Sequence, residues 1–359
     1  MTELARWVPV DSETDEKAWS LLRAHSSGSE CLKHMNAETI DEVIMILSDY
    51  MGKAKPIAGG TDLIRLLRNN IESPMVLVNI KTIPSLTGIT EDAEGLRIGT
   101  LTTIHDIETS PIIRDEYSML AEAAHSVASP QIRKMATVGG NLCQSTNCWY
   151  YRMEPVTGSM FICRRKGGTT CYAADGDNRY HAILGGKGCF APCTSDMAPA
   201  LVALDAKLKI TGPNGERGTT VEQFYNPMGN ILKPNELITE IQVPTIKPGT
   251  RQRYFKFRLR KAIDPALSSV AAVVTAEAGV VVDARIVLGG VAPMPYRAFA
   301  AEEVIRGKVI TENLAEISAK AAMNESAPLS GNAYKVPITK ALIKRALLDY
   351  SLVHSQGSL

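Results

Sequence analysis

The pattern of apolar and polar positions predicts a β-α-β order in the first third of the chain. Residues 39–52 (TIDEVIMILSDYMG) have apolar positions at helical spacing behind Thr39, a typical N-cap residue, and predict a helix that ends near Gly52. KPIAG then predicts a short strand, GGTD a turn, LIRLLRNNI a helix and MVLVNI a buried strand. LRIGTLT predicts a further strand, and the stretch through MLAEAAHSVAS predicts a long helix.

The second half of the chain has the pattern of a separate α+β domain. MAPALVALDA predicts a helix, and KLKITGPNGERGTT predicts a hairpin that turns at PNG. YFKFRLRKA and VVVDARIVLGGVA alternate like strands of a mostly antiparallel sheet. Helices are predicted near 299–306, 312–324 and 337–350.

Length and charge restrict the class of protein. A chain of 359 residues is longer than one hydrophobic core usually serves, and two or three domains are expected. Lys and Arg number 39 against 38 for Asp and Glu, so there is no basic field for nucleic acid. The first residues are acidic where a signal peptide needs positive charge, so we expect a cytoplasmic protein. Thr275 and Glu277 interrupt the most apolar stretch, 266–282, which predicts a buried hairpin and no membrane span.

Two glycine pairs are candidates for binding a phosphate group. They lie in AGGTD at 58–62 and in TVGGN at 137–141. Glycine allows close backbone approach, so that amide groups converge on a phosphate, and the helix predicted after Asp62 adds its positive end. Together the pairs predict a pyrophosphate site, although either one alone is as readily a plain tight turn. The chain contains neither GxGxxG nor GxxxxGK[ST], which argues against a Rossmann or P-loop fold.

Six of the seven cysteines lie within the 51 residues that begin at Cys143. In a reducing compartment, clustered cysteines are metal ligands or redox groups more often than disulfides. Structural zinc sites usually use close CxxC pairs, and the sequence has none, so an iron-sulfur centre is favoured over zinc. His181 lies in the same segment. It is a ligand candidate in the zinc case and otherwise a surface residue.

Five segments in order give a resemblance to a known family. PIAGGTDLI, ATVGGNL, SDMAPALVALDA, YFKFRLRKAID and LGGVAPMPYRA resemble the FAD-binding medium subunit of the molybdenum hydroxylases, which include xanthine dehydrogenase and carbon monoxide dehydrogenase. The resemblance covers about 32–350. It implies an α+β fold: a two-part FAD-binding domain of the vanillyl-alcohol-oxidase/PCMH type at 32–216, then an α+β domain with an antiparallel sheet at 217–352. Residues 1–31 are then an N-terminal extension.

The resemblance also implies roles for single residues. The residues that match the loops around the FAD diphosphate are Ala58, Gly59, Gly60, Thr61 and Asp62 in the first loop and Thr137, Gly139, Gly140 and Asn141 in the second. Asp196 matches an acidic residue beside the flavin, and its alternative role is a helix N-cap. Lys256 matches a lysine near the isoalloxazine. Its alternative is a place on a solvated strand face with Arg258, Arg260 and Lys261.

About fifty residues separate Asn141 from Asp196, where most members of the family have only a few. This insert, at about 144–194, resembles the β subunit of 4-hydroxybenzoyl-CoA reductase, whose loop binds an additional 4Fe-4S cluster. The implied ligands are Cys148, Cys163, Cys171 and Cys189, with gaps of fourteen, seven and seventeen residues. Cys193 is the alternative to Cys189 as the fourth ligand. Cys143 is expected to be a small buried residue beside FAD, and no role is expected for Cys31.

The function implied is that of an FAD- and 4Fe-4S-binding electron-transfer subunit. The implied partners are a small subunit with two 2Fe-2S clusters, a large subunit with the molybdenum cofactor and a soluble carrier such as ferredoxin, with no nucleic acid or membrane. An aromatic CoA thioester such as 4-hydroxybenzoyl-CoA would be reduced on the large subunit, so no catalytic residue is expected in this chain. The alternatives are a stand-alone FAD oxidoreductase and a flavin-free zinc scaffold.

Overall fold

The structure is a computed structural model that describes residues 32–153 and 161–351. The predicted extension at 1–31, including Cys31, lies outside the described residues. None of the helices in the described part is long and apolar enough to cross a membrane.

A three-stranded parallel sheet forms the N-terminal part. Its strands in spatial order are β1 (Lys33–Asn36), β3 (Val76–Asn79) and β2 (Ala54–Ile57). The central strand β3 is buried at every position, as in strands that are covered on both faces. Helix α1 (Ile40–Asp49) begins after Thr39, whose Oγ1 accepts a hydrogen bond from the Glu42 amide at 3.2 Å. Helix α2 (Leu63–Arg68) follows the first glycine loop, so the predicted element order is confirmed here.

A five-stranded antiparallel sheet completes the first domain. Its strands in spatial order are β4 (Ile89–Asp92), β5 (Gly95–Gly99), β10 (Leu237–Pro244), β6 (Lys207–Gly212) and β7 (Gly215–Thr220). The predicted β6–β7 hairpin is confirmed. Position 216, where the sequence analysis ends the first domain, lies inside β7, and β10 pairs with both β5 and β6. The sheet therefore favours a domain boundary after Pro244.

Several short helices lie between β5 and the insert. They are α3 (Ile104–Thr109), α4 (Pro111–Glu116), α5 (Ser118–Ser126), α6 (Pro130–Arg133) and α7 (Val138–Cys143). The long helical stretch predicted here is divided into short helices, of which α5 covers most of MLAEAAHSVAS. Ser110 ends α3, and Pro111, which has no N–H to donate, starts α4 as its first residue.

The insert is anchored on the C-terminal domain. It contains helix α8 (Trp149–Arg152) and a 3₁₀ turn at Arg164–Lys166. Ile183 and Leu184 lie in the hydrophobic core of the C-terminal domain. The Asn332 side chain donates hydrogen bonds to insert carbonyls, including that of His181 at 3.1 Å.

The C-terminal domain packs helices against a four-stranded antiparallel sheet. The strands are β11 (Thr250–Phe257), β12 (Ser268–Glu277), β13 (Val280–Gly289) and β14 (Tyr296–Arg297), and the helices are α11 (Phe299–Ile305), α12 (Glu312–Ala321) and α13 (Lys335–Ser351). Before this domain lie α9 (Met197–Ala203), α10 (Val221–Phe224) and the small β8–β9 hairpin (Tyr225–Asn226 and Gly229–Asn230). The α+β class and the buried β12–β13 hairpin are confirmed.

Strand β11 begins and ends earlier in the chain than the sequence predicts. The YFKFRLRKA segment stops being a strand at Phe257. The Asp264 carboxylate accepts hydrogen bonds from both the amide and the side chain of Arg260. This local turn competes with strand pairing.

Candidate functional site

Both glycine segments line one groove between the parallel sheet and the five-stranded sheet. All residues from Ala58 to Asp62 line this groove, as do Thr137, Gly139 and Gly140, and its volume is about 390 Å³. Asn141 lies beneath it, where its Oδ1 accepts a hydrogen bond from Ser195 Oγ at 2.6 Å. The structure thus brings the two predicted segments together, with Asn141 in a supporting position.

The glycines are required because the backbones approach each other closely. A β-carbon on Gly59 would lie 1.8 Å from the carbonyl oxygen of Met135, and one on Gly139 would lie 1.8 Å from Thr100 Oγ1. Gly60 has a φ of +67°, a conformation that favours glycine. The first loop therefore rests directly on the chain that leads into the second segment.

The two segments have different hydrogen-bonding roles. Within the described residues, the amides of Gly59, Gly60, Thr61 and Asp62 donate to no protein acceptor. The amide of Gly139 donates to the Thr100 carbonyl at 2.9 Å, and that of Gly140 donates to Thr137 Oγ1 at 3.2 Å. Free amides that face a groove are suited to phosphate oxygens, so the first loop fits a diphosphate-bearing cofactor.

The second segment differs from the predicted turn. Thr137 is the N-cap of α7, and Gly139 and Gly140 lie in the first turn of that helix. Paired glycines commonly form turns, which is why the sequence predicts a loop here. Here they are needed for packing against Thr100.

Asp196 and Lys256 form a buried ion pair. Lys256 Nζ lies 2.6 Å from Asp196 Oδ2, and the two side chains are only 4% and 9% exposed. Tyr254 OH donates to Asp196 Oδ1 at 3.2 Å. Asp196 stands at the N-cap position of α9, but its side chain makes no capping hydrogen bond, and Ser195 Oγ accepts from the Ala198 amide. The solvated-face alternative for Lys256 is wrong, and neither side chain of the pair lines the groove.

The insert forms a second site next to the groove. Four of its cysteines line one small cavity of about 10 Å³: Cys148, Cys163, Cys171 and Cys189. Cys193 and Cys143 line a neighbouring pocket of about 240 Å³. All six are free thiols. Cys143 also lines the groove and is exposed to it, the place expected for a small residue beside FAD.

Two side chains contact sulfurs of this cavity. Arg165 Nε donates to Cys189 Sγ at 3.2 Å, and His181 Nε2 lies 3.3 Å from Cys148 Sγ. His181 is buried, so its prediction as a surface residue is wrong. Burial, together with the charge of Lys335, lowers the pKa of His181 to about 4, and the ring is neutral at neutral pH. Burial also raises the pKa of the Cys148 thiol to about 11.

Comparison with known proteins decides the family. Residues 30–246 match the FAD binding domain in molybdopterin dehydrogenase, and residues 253–350 match the CO dehydrogenase flavoprotein C-terminal domain. The chain belongs to this flavoprotein family. The predicted FAD-binding medium subunit of a molybdenum hydroxylase and the predicted oxidoreductase class are confirmed.

Relatives cover most of the chain. The aldehyde oxidoreductase FAD-binding subunit PaoB of Escherichia coli K12 is 36% identical over 69% of this chain and 78% of its own length. The carbon monoxide dehydrogenase medium chain of Hydrogenophaga pseudoflava is 28% identical over 86% and 93%. A solved structure of carbon monoxide dehydrogenase from that organism, lacking the Mo-pyranopterin moiety, superposes with a TM-score of 0.72 at 27% identity, covering 90% of this chain and 98% of the other.

Sequence reasoning missed the side chains that connect the two sites of this family member. Asp62 lines the groove, but its carboxylate is bound by Arg152 of the insert, 90 positions away. Arg165 and His181 reach cysteines 24 and 33 positions away. No local spacing rule relates residues at such separations, so the sequence contained no signal for these contacts.

Proposed function

We propose that the chain is the FAD- and 4Fe-4S-binding electron-transfer subunit of a molybdenum hydroxylase-type oxidoreductase complex. FAD, when bound, supplies both two-electron and one-electron chemistry. The observation that carries the cluster proposal is the single cavity lined by Cys148, Cys163, Cys171 and Cys189 beside the FAD groove. Cys193 lines the neighbouring pocket, which supports Cys189 as the fourth ligand.

The thiols of the described residues are not gathered around the position of a single metal ion. Within 32–153 and 161–351, no group of three or more His, Cys, Asp or Glu side chains converges closely enough for a single metal ion. Four thiolates around one zinc ion, each about 2.3 Å from the metal, would lie about 3.8 Å apart. In a 4Fe-4S cluster each thiolate binds a different iron, so the sulfurs lie farther apart. A four-cysteine donor set lining a common cavity fits the second arrangement.

The chain's own residues would hold and insulate the cofactors. The free amides of Gly59, Gly60 and Thr61 would receive the FAD diphosphate, while the backbone of Met135 packs against the loop at Gly59. Around the cysteines, aromatic rings pack edge to face, including Tyr150 on Phe161 at 5.0 Å between centroids. Tyr150 also lines the cavity, so this packing places aromatic surface beside the cysteines.

The substrate and partners follow from the relatives and the resemblance. We propose a small 2Fe-2S subunit and a large molybdenum-cofactor subunit as partners, ferredoxin as the soluble carrier, and a cytoplasmic location. The substrate would be transformed on the large subunit. The resemblance of the insert favours an aromatic CoA thioester such as 4-hydroxybenzoyl-CoA, and the 36% identity to an aldehyde oxidoreductase subunit favours an aldehyde.

The test is an assay of iron, acid-labile sulfide and flavin on the purified complex, with Cys189→Ser and Cys193→Ser compared to wild type. We expect Cys189→Ser to lose about four irons per complex together with one iron-sulfur signal in electron paramagnetic resonance. Cys193→Ser should keep both. Equal iron in all three proteins would contradict the proposed ligand set. Stoichiometric zinc without flavin would favour a scaffold, and a lone active chain in gel filtration would favour a stand-alone oxidoreductase.

A further inference from the structure

The side chain of Arg165 lies between the cysteine cavity and the neighbouring pocket and lines both. Its Nε donates to Cys189 Sγ at 3.2 Å. Its other two nitrogens donate to backbone carbonyls of the β8–β9 hairpin, Nη1 to Met228 at 2.7 Å and Nη2 to Pro227 at 3.0 Å. All three nitrogens of the guanidinium are therefore fixed in direction.

No carboxylate neutralises this guanidinium among the residues that the structure describes, since its hydrogen bonds go only to one sulfur and two carbonyls. An arginine remains charged at any physiological pH. Other half-buried arginines of the chain do have such partners, for example Arg297 with Glu302 and Arg217 with Glu236. The group that can balance the charge of Arg165 is the sulfur of Cys189 in its thiolate form.

We propose that Arg165 is a positioning residue that raises the reduction potential of the cluster held by the insert, an inference that rests on the proposed 4Fe-4S site. A cation that donates a hydrogen bond to a ligand sulfur stabilises the more negative, reduced form more than the oxidised form. The hairpin carbonyls hold the guanidinium in place. Asn230 of the same hairpin lines the FAD groove, so one structural element contacts both redox sites.

The experiment is a redox titration of the intact complex, followed by electron paramagnetic resonance, on wild type, Arg165→Gln, Arg165→Lys and Arg164→Gln. For Arg165→Gln we expect the ratio of reduced to oxidised cluster at a fixed poise to fall about tenfold, which is about 59 mV for a one-electron couple. In Arg165→Lys the reduction potential of the cluster should shift in the same direction but by a smaller amount, because an ammonium group keeps the charge but lacks the planar guanidinium geometry. Arg164 is the control, since its Nε donates to the Thr169 carbonyl and not to a sulfur.

Iron and sulfide are measured on the same samples. This separates the proposal that the insert holds a 4Fe-4S cluster from the proposal that Arg165 raises the reduction potential of that cluster. A wild-type complex whose iron and sulfide are accounted for by the partner subunits would overturn the 4Fe-4S proposal itself. If the cluster is present, a wild-type potential in any iron-containing Arg165 variant would overturn the role of Arg165. An equal shift in Arg164→Gln would do the same. Should Arg165→Gln lose its cluster, the titration of Arg165→Lys decides the question.

Discussion

Asp62 in the first glycine loop and Arg152 in the cysteine insert form an ion pair with 2.6 Å between Oδ1 and Nη2. The other carboxylate oxygen of Asp62 accepts a hydrogen bond from the Ser145 amide at 2.8 Å. Arg152 also donates from Nε to the Thr146 carbonyl at 2.6 Å, and its side chain is 8% exposed. The first glycine loop and the start of the insert are therefore held together as one unit.

Replacing Arg152 should weaken both cofactor sites together. Arg152→Gln leaves the Asp62 carboxylate without its cation, and we expect the free energy of unfolding to fall by about 1 to 3 kcal/mol. Flavin and iron should both be lost more readily, as measured by retention of each during gel filtration. Lys209→Gln is the control, because the Lys209–Glu216 pair is exposed and contributes at most about 1 kcal/mol. Normal flavin retention in Arg152→Gln would contradict the link between the two segments.

The close packing at each glycine segment predicts that even a methyl group is not tolerated. Gly59→Ala places a β-carbon 1.8 Å from the Met135 carbonyl oxygen and Gly139→Ala places one 1.8 Å from Thr100 Oγ1, so the backbone or its neighbour must shift. We expect purified protein with at most a tenth of the wild-type flavin, measured by absorbance after denaturation. Gly218→Ala is the matched control, since a β-carbon there meets no atom within 4 Å. If Gly59→Ala binds flavin at the wild-type level, this loop does not bind the FAD diphosphate.

Local signals explain which parts of the fold could be predicted. Helix α1 was found from its N-cap Thr39 and its apolar spacing, and the β6–β7 hairpin was found from its PNG turn. Both depend on residues within a few positions of each other. The division of the helical stretch at Pro111 was missed because apolar periodicity continued across it, although the proline itself was a visible signal.

The candidate site was predictable only as far as residue type indicates chemistry. Paired glycines indicate a phosphate site, and clustered cysteines indicate a metal site. Both inferences hold without knowledge of the residues that contact them in the fold. The environment of each polar side chain was not predictable. The sequence predicts His181 as a surface residue because four or five cysteines are already available as ligands, but Asn332 and the C-terminal core hold its segment in the interior. Such long-range packing leaves no pattern in a single sequence.

The Asp196–Lys256 pair should contribute to stability through charge compensation. Lys256→Met leaves a buried carboxylate without its cation, and we expect a loss of about 3 to 5 kcal/mol in the free energy of unfolding. Adding Asp196→Asn to that variant removes the uncompensated charge, so the double variant should recover at least half of the loss. Urea denaturation of the single and double variants measures this coupling. Additive losses in the double variant would show that the two groups act independently.

Burial of His181 makes stability depend on pH in the acidic range. Its pKa is about 4 in the folded protein, lowered first by burial and then by the charge of Lys335, against 6.5 for an ordinary histidine. Between these values the unfolded chain binds more protons, so the folded state loses stability as the pH falls from about 6.5 to about 4. The loss attributable to this residue is about 2 to 3 kcal/mol. His181→Asn cannot titrate, and its free energy of unfolding should decline less than that of wild type over this range. Denaturation curves at several pH values measure the difference, and parallel declines in the two proteins would mean that His181 is not buried in neutral form.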